Sequence, residues 1–507
     1  MHVSGSHRGG DRVAIAACVL LLSGCAVGPD YVRPLSPDPS AWNATSATES
    51  GTPSDDATLA TWWTVLDDPI LTELINRAVA RNPGVLEATA RVRQARAQRQ
   101  VARADFLPTV QASGGVTPSL QSKESFGGPD RDRTLYQIGF DSTWEIDLFG
   151  RTRRSVEAAS ADLAASEENL RDVLVSLVGE LALTYVDLRR AQSQLTIAKA
   201  NLAADQETFE IAQWREQAGL TTALDVEQAR TSLESTRARI PPLRASIAQI
   251  GNRLAVLTGD PPEGIAGRFA EQKPIPVAPL TIAVGVPADT LRRRPDVRRA
   301  ERELAAETAR VGVATADRYP NLRLVGSIGL EALTPGGLFS AGADAGSLAV
   351  TLAQTVFDFG RISGNIEARD AVREQAAARY HSAVLTALED VENALIAFAQ
   401  EQERRTALTE ATAAAERAAL LSRDQYTSGL VDFETVLVAQ RSLYTLQDQL
   451  AASEAEVTAD LIRLYKALGG GWTPEPPQER AAEALPSRPQ RSQEPTAQNV
   501  SRPQVEA

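Results

Sequence analysis

The sequence predicts an α+β membrane protein: a duplicated unit whose strands contribute to a membrane β-barrel and whose helices extend far from it. Three observations carry that prediction. They are a duplication at a nearly constant offset, segments of strict apolar–polar alternation, and a helical stretch too long for a globular domain.

The duplication comes first, because it sets the plan for everything else. Arg81-Asn82-Pro83 is matched by Arg293-Arg294-Pro295, and Ala104-Asp105-Phe106-Leu107-Pro108 by Ala316-Asp317-Arg318-Tyr319-Pro320, both 212 residues further on. Phe149-Gly150-Arg151, Gly219-Leu220 and Arg253-Leu254 are matched by Phe359-Gly360-Arg361, Gly429-Leu430 and Arg463-Leu464, all at an offset of 210. One two-residue contraction separates the registers. Chance similarity in Ala-rich helices does not hold an offset over this length. Residues 81–259 and 293–469 are therefore two repeats, each reading as helix, strand pair, very long helix, Gly turn and returning helix.

The first helix of each repeat is predicted over 83–106 and 295–318. The strands follow, with a period of two. In 136–147, Tyr136, Ile138, Phe140, Trp144 and Ile146 share one face, and Gln137, Gly139, Asp141, Thr143, Glu145 and Asp147 share the other. Leu322, Leu324, Ile328 and Leu330 oppose Arg323, Ser327 and Glu331 in 321–331. Leu348, Val350, Leu352 and Val356 alternate with Ala349, Thr351, Ala353 and Thr355 in 347–356. A weaker strand holds Val110, Ala112, Gly114 and Val116, and polar, Gly-rich loops lie at 119–133 and 333–346. Such alternation is commonest in soluble sheets with one wet face. An exported, lipidated chain points instead to lipid, where open strand edges are not viable. Strands from several copies must then close one barrel, eight from two copies or twelve from three. Tyr136, Ile138, Phe140 and Trp144 are expected to face lipid.

The long helix is predicted from Arg151 to Glu216, a span with no Pro and only Gly179 as glycine. At about 1.5 Å per residue it is on the order of 100 Å long. Leu174, Leu181, Leu188, Leu195 and Leu202 recur every seven residues, as do Val156, Leu163, Leu170, Leu177, Thr184, Ala191 and Ala198. The two series read as a coiled-coil seam that ends in small residues. Gly219 and Gly429 end the long helices in turns that only glycine adopts at no steric cost. Thr221-Thr222 and Asp432 are placed to cap the returning helices. Pro241-Pro242 is expected to break the first return.

Outside the repeats, residues 1–24 read as a lipoprotein signal peptide. Arg8 and Arg12 precede the apolar run Val13–Leu22, which ends in Leu22-Ser23-Gly24-Cys25, a sequence resembling a lipobox. In that chemistry the Cys25 thiol is alkylated by a diacylglyceryl group and becomes the new N-terminus. Ala26, rather than an aspartate, resembles the signal for outer-membrane sorting. Residues 25–80 are read as a lipidated extended segment with a first helix, 260–292 as a Pro-rich equatorial linker, and 470–507 as a disordered tail.

Composition excludes much else. A formal net charge of −13 argues against nucleic acid. Of three histidines only His381 lies beyond the leader, in an ordinary helical context, and Cys18 and Cys25 leave no disulfide or metal cluster. Adjacent acids such as Asp67-Asp68 and Glu167-Glu168 read as solvated surface rather than as a hydrolase pair. No enzyme activity and no cofactor beyond the covalent lipid on Cys25 are expected.

These residues resemble a known family. Cys25-Ala26-Val27-Gly28-Pro29-Asp30-Tyr31, Trp62-Trp63 with Asp68-Pro69, Asp147-Leu148-Phe149-Gly150-Arg151, Val286-Pro287-Ala288-Asp289 with Arg292-Arg293-Arg294-Pro295-Asp296, and Ala439-Gln440-Arg441-Ser442-Leu443 are similar to motifs of TolC/OprM outer-membrane efflux channels, in their NodT-like lipoprotein branch. The resemblance implies a homotrimer: a 12-stranded outer-membrane barrel, four strands per protomer, continuous with a periplasmic helical tunnel. It implies a passive conduit for small molecules whose far end meets a periplasmic adaptor and an inner-membrane pump. The tips Gly219, Leu220, Thr221, Gly429, Leu430 and Val431 would touch the adaptor. The resemblance places the gate at Tyr426, bonded to Asp225. Val431 stands where an arginine is expected, and Thr435 and Val438 where selectivity aspartates are expected, leaving Asp432 and Glu434 as the nearby acids. The rival reading is a periplasmic adaptor or structural coiled-coil lipoprotein. Adaptors carry one hairpin and lack duplicated amphipathic strand pairs.

Overall fold

The computed structural model describes residues 26–34, 42, 59–120, 132–264, 267, 273–278 and 291–472. The signal peptide, Cys25 and the tail beyond Trp472 lie outside the described residues.

The fold begins with a short 3-10 turn at Trp62–Leu66 and helix α1, Pro69–Arg81. The Asp68 carboxylate starts α1 by accepting from the Ile70 and Leu71 amides at 2.8 and 3.1 Å. Leu71, Leu74, Ile75 and Ala78 form its buried stripe. Asn82, held extended before Pro83, ends α1 and caps α2, Pro83–Ala104. Strands β1, Thr109–Leu120, and β2, Asp132–Ile146, follow. Helix α3 runs unbroken from Arg151 to Gln217, and α4 returns over Ala223–Thr258. The second repeat has the same order: α5 Pro295–Ala316, β3 Asn321–Ala332, β4 Asp344–Ala353, α6 Arg361–Thr427 and α7 Phe433–Ala467.

The four strands make one antiparallel sheet in the order β1-β2-β3-β4, so β2 and β3 join the two repeats. Strand β4 stops at Ala353 because its partner Asn321 begins β3 there. The alternation of 347–356 outruns the available pairing, and Val356 lies beyond the sheet, 94% exposed. Among the described residues no helix is long and apolar enough to cross a membrane.

The core lies midway along the helices. Leu163, Leu170, Leu177, Leu181, Leu188, Ala191, Leu195 and Ala198 are buried, as the heptads predicted, with Leu174 and Leu202 packed at their margins. Trp62 stacks on Tyr465 at 5.4 Å, and the Gly471 amide donates to the Leu59 carbonyl at 2.9 Å. The chain is thus packed through Trp472, against whose ring the Arg171 guanidinium lies at 4.8 Å. Residues 470–472, predicted to belong to the tail, are part of the packed structure, because Gly470 and Gly471 fit where larger residues would meet Trp62 and Val178. The linker is also partly structural: Asp260 pairs with Arg77, and the Pro276 carbonyl accepts from Thr458.

Pro241 and Pro242 do not break α4. Each removes a backbone donor, but Ile240, Leu243 and Ile247 on either side are packed against Leu195, Ala198 and Leu202 of α3. Tertiary packing along a 36-residue helix outweighs a local cost of roughly 3 kcal/mol for an interior proline.

A buried polar group braces the same level. The Tyr185 hydroxyl donates to Asp68 at 2.5 Å and accepts from Arg189 at 2.7 Å, and Arg189 also donates to Gln192 at 2.8 Å. Burial and the bond to Asp68 push the Tyr185 phenol upward, so it stays a donor. Tyr185→Phe should leave a half-buried carboxylate and a buried guanidinium each short of a partner. We expect a stability loss of about 1–3 kcal/mol, read as a lower midpoint for thermal loss of helix in detergent. An unchanged midpoint would contradict a bracing role.

Candidate functional site

Three regions are candidates for function: the sheet faces, the N-terminal strap at the sheet's root, and the distal helical ends.

Register divides the sheet into two chemically distinct faces. Phe140 lies opposite Ala112 on one side and Ile328 on the other, and Trp144 opposite Leu324, which lies opposite Val350. This face gathers Val110, Val116, Ile138, Phe140, Ile328, Leu348, Val350 and Leu352, all exposed in the single protomer. Tyr136 and Trp144 share it and are half-buried, the Trp144 indole donating to the Phe106 carbonyl at 3.0 Å. The opposite face is polar. Ser113 donates to Asp141 at 2.6 Å, Ser327 and Ser347 are bonded at 2.8 Å, and Arg323 lies 3.8 Å from Glu145. A continuous apolar face of this extent is unfavourable in water and fits hydrocarbon.

The strap 26–34 is seated at the root of the sheet. The Val27 amide donates to the Phe149 carbonyl at 3.1 Å. Arg154, 4% exposed, donates to the Val27 carbonyl at 3.2 Å and pairs with Asp30 at 2.6 Å. Gly28, at φ 92°, lies so close to Gly312 of α5 that an added Cβ would sit 2.5 Å from the Gly312 Cα. Sequence reasoning missed Arg154 and Gly312. The signal was available for Gly312: a glycine inside a helix costs about 1 kcal/mol relative to alanine and asks for a packing reason.

At the distal end, Gly219 (φ 73°) and Gly429 (φ 74°) turn the two hairpins in the left-handed region, as expected. Leu220 and Leu430 are 65% and 74% exposed beside them. Asp432 is a helix cap, accepting from the Thr435 amide at 3.0 Å and the Thr435 hydroxyl at 2.6 Å. Those bonds hold its carboxyl below the usual carboxylate range. Thr222 occupies the other cap position without a side-chain cap bond. Glu434 is exposed in the first turn of α7.

The expected Tyr426–Asp225 bond is not made. The Tyr426 hydroxyl is buried without a hydrogen-bond partner among the described residues, and Asp225 accepts from Thr221 of its own turn. A local partner four residues away, already held by the turn, outcompetes one on another hairpin. Tyr426 is instead a packing residue, its ring 5.3 Å from that of Phe433, inside a core with Ala212, Val226, Ala229, Val436 and Leu437. Further along, a buried Asp205 carboxylate ties α3 to α4 and α7, accepting from Thr236 at 2.6 Å and Tyr444 at 2.9 Å.

A duplicated chain with a two-faced sheet and paired long hairpins has known relatives. The sequence pattern of the outer membrane efflux protein family matches residues 74–260 and 286–470, one match for each repeat. The chain belongs to the outer membrane efflux protein family. It is similar to nodulation protein T of Rhizobium leguminosarum bv. trifolii, at 33% identity over 90% of this chain and 96% of that protein. It is similar to the solvent efflux pump outer membrane protein SrpC of Pseudomonas putida, at 32% identity over 90% of this chain and 97% of that protein. The solved outer-membrane channel OprN superposes with a TM-score of 0.81 at 34% identity, over 88% of this chain and 99% of its own. The protein is an outer-membrane efflux channel, a conduit and not an enzyme. The duplicated strand pairs exclude the adaptor reading.

In this efflux channel the apolar face has the character that a lipid-facing surface needs. Phe140→Arg should cost about 2–4 kcal/mol if it lies near the bilayer midplane, and should lower the amount assembled in the outer membrane. Asp141→Arg, on the polar face, should assemble at the wild-type level. Equal assembly of both variants would reverse or refute the assignment of faces.

Proposed function

We propose that three copies of this channel close one 12-stranded barrel in the outer membrane, continuous with a tunnel of twelve helical segments in the periplasm. The observation that carries the reading is the four-stranded sheet itself. Its apolar face is exposed, and among the described residues its outer strands β1 and β4 have no neighbour on their far edges within the protomer. In lipid every backbone polar group needs a partner, so β1 of one protomer pairs with β4 of the next. Three copies also bring six long hairpins side by side, which suits a seam buried on more than one side. The polar face then lines the lumen.

In this reading Cys25 carries the lipid. The strap supports it: Ala26 packs directly on Gly150, at the foot of the sheet, so acyl chains on the preceding residue enter the membrane beside the barrel. The distal tips, 219–221 and 429–431, receive a periplasmic adaptor, and an inner-membrane pump supplies the cargo. The exposed Leu220 and Leu430 support that docking, since each presents an apolar knob on a hairpin turn.

Purified full-length protein should run as a trimer by native mass measurement in detergent and give discrete conductance steps in planar bilayers. A stable dimer, or trimers that never conduct, would overturn the closure proposed.

Cys25→Ser should abolish incorporation of radiolabelled fatty acid. Label retained by the variant would place the lipid elsewhere.

A further inference from the structure

We propose that successive copies of this chain join in one fixed register, with Val356 beyond β4 opposite Val110 in β1 of the next copy, and with Arg361 paired to Asp105 of the next copy just below the strands. The second repeat of one copy thereby docks on the first repeat of the next as the first docks on the second within one chain. The inference deepens the reading of a closed ring of copies and rests on it.

The duplication carries register from one place to another. Thr109 of β1 lies opposite Thr143 of β2. The motifs flanking these strands are offset by 212 residues before β1 and by 210 after β2. Moved by those offsets, the pair becomes Asn321 opposite Ala353, which is the observed pair at the root of the β3–β4 ladder. One hairpin thus gives the register of the other without a slip. Inside the chain the sheet passes from the first repeat to the second at the β2–β3 junction, where Ile146 lies opposite Leu322 and Ser142 opposite Gly326. Moved the same way, these pairs become Val356 opposite Val110 and Leu352 opposite Gly114, across the free edges of β4 and β1.

The edges fit that register. The alternation of β4 continues past Ala353, where its partner within the protomer ends. A neighbouring β1 continues the ladder to Val356 and sets that side chain, 94% exposed in the single protomer, beside Val110 on the apolar face. A slip of one residue would turn one apolar set to the polar face.

The side chains below the strands agree. Within the chain Arg151 pairs with Asp317 at 2.6 Å, and Phe149 stacks on Tyr319 at 4.8 Å. The corresponding residues are Arg361 with Asp105, and Phe359 with Leu107. Arg361 and Asp105 are exposed, and neither side chain has a partner among the described residues. Phe359 and Leu107 are 91% and 68% exposed. Both halves of each contact are therefore present and open. The matched positions differ where the strap sits: Arg154 and Gly312 correspond to Gly364 and Gln100. The bulky and the small member change sides, so the helices still fit but the strap has no second seat. A Cβ on Gly364 would meet nothing within 4 Å in the single protomer, which leaves room for Gln100 of the next copy.

The test is oxidative cross-linking of the full-length protein in outer-membrane fractions, read in SDS without reductant, with native mass measured for each variant. Val356→Cys combined with Val110→Cys should give covalent dimers and trimers. Val356→Cys combined with Ala112→Cys or with Pro108→Cys probes the registers two residues to either side. These should cross-link about fivefold less, because a disulfide needs Cα atoms within about 7 Å. Ile146→Cys with Leu322→Cys, the matched pair inside the chain, should lose its free thiols with no gain in mass. Arg361→Asp should lower the fraction of trimer surviving heat in SDS about twofold or more, an exposed pair being modest singly but present three times. Asp105→Arg in the same chain should restore it. Neither change harms its own helix, since acids suit the start of α6 and bases the end of α2. Stronger cross-linking at Ala112 or Pro108 than at Val110 would overturn the register. Trimers by native mass that cross-link at none of these pairs, with the Ile146–Leu322 control oxidised, would overturn the contact and leave the trimer standing. A double charge variant no better than Arg361→Asp would overturn the ion pair. Monomers or dimers in the unsubstituted protein would bring down the ring and this inference together.

Discussion

Lipid leaves a strand edge no alternative partner, and the architecture follows from that constraint. In water the free N–H and C=O groups of β1 and β4 would be solvated. In hydrocarbon each unpaired group costs several kcal/mol. Four strands cannot curl far enough to pair with each other, so the edge bonds must come from other copies of the same chain. The duplication then has a geometric use. Each repeat contributes one hairpin to the sheet and one helical hairpin below it, and β2 pairs with β3 across the repeat boundary. The ring of strands and the ring of helices therefore share one repeating angle, and a protomer adds equal arcs to both.

Side-chain size is graded along the helices. Near the sheet and at mid-length, large and polar groups interlock: Trp62 on Tyr465, the Asp68–Tyr185–Arg189 group, and the strap held by Arg154. These contacts bind several elements at once and leave no easy direction of sliding. Toward the distal end one heptad series of α3 runs through Ala191, Ala198, Asp205 and Ala212 while the other keeps Leu195, Leu202 and Phe209, and the shared core is seven buried residues with a few at its margin. Alanine seams lose little when helices slip past one another, because few methylene groups have to leave their holes.

Much of this was legible in the sequence. The constant offset gave the repeats, period-two alternation gave the sheet faces, and the seven-residue leucine series gave the buried stripe of α3. Each of these is a local or translational pattern, visible without knowing which elements touch. What stayed hidden depended on contacts between distant segments. Pro241 and Pro242 read as a break because their cost is local, while Leu195, Ala198 and Leu202, which hold the helix together, lie about forty residues earlier. Tyr426 is placed as a hydrogen-bonding residue by resemblance to the family, yet its buried ring makes the contacts. Arg154 is one arginine among many, and only the fold distinguishes it by bringing the strap to it.

The divergence between the repeats is most informative where they meet. At the foot of the sheet matched positions keep their identity, Gly150 with Gly360 and Arg151 with Arg361, as they do at the start of α2 and α5, Pro83 with Pro295. At the tips they part, with Arg215 against Gln425, Glu216 against Tyr426 and Thr221 against Val431. Identical repeats would place the same surface on both sides of every hairpin, and all six interfaces of the proposed ring would be equally tight. Such a ring could open only by straining every interface together. Unequal repeats give two kinds of interface, one within a protomer and one between protomers, whose strengths are set independently.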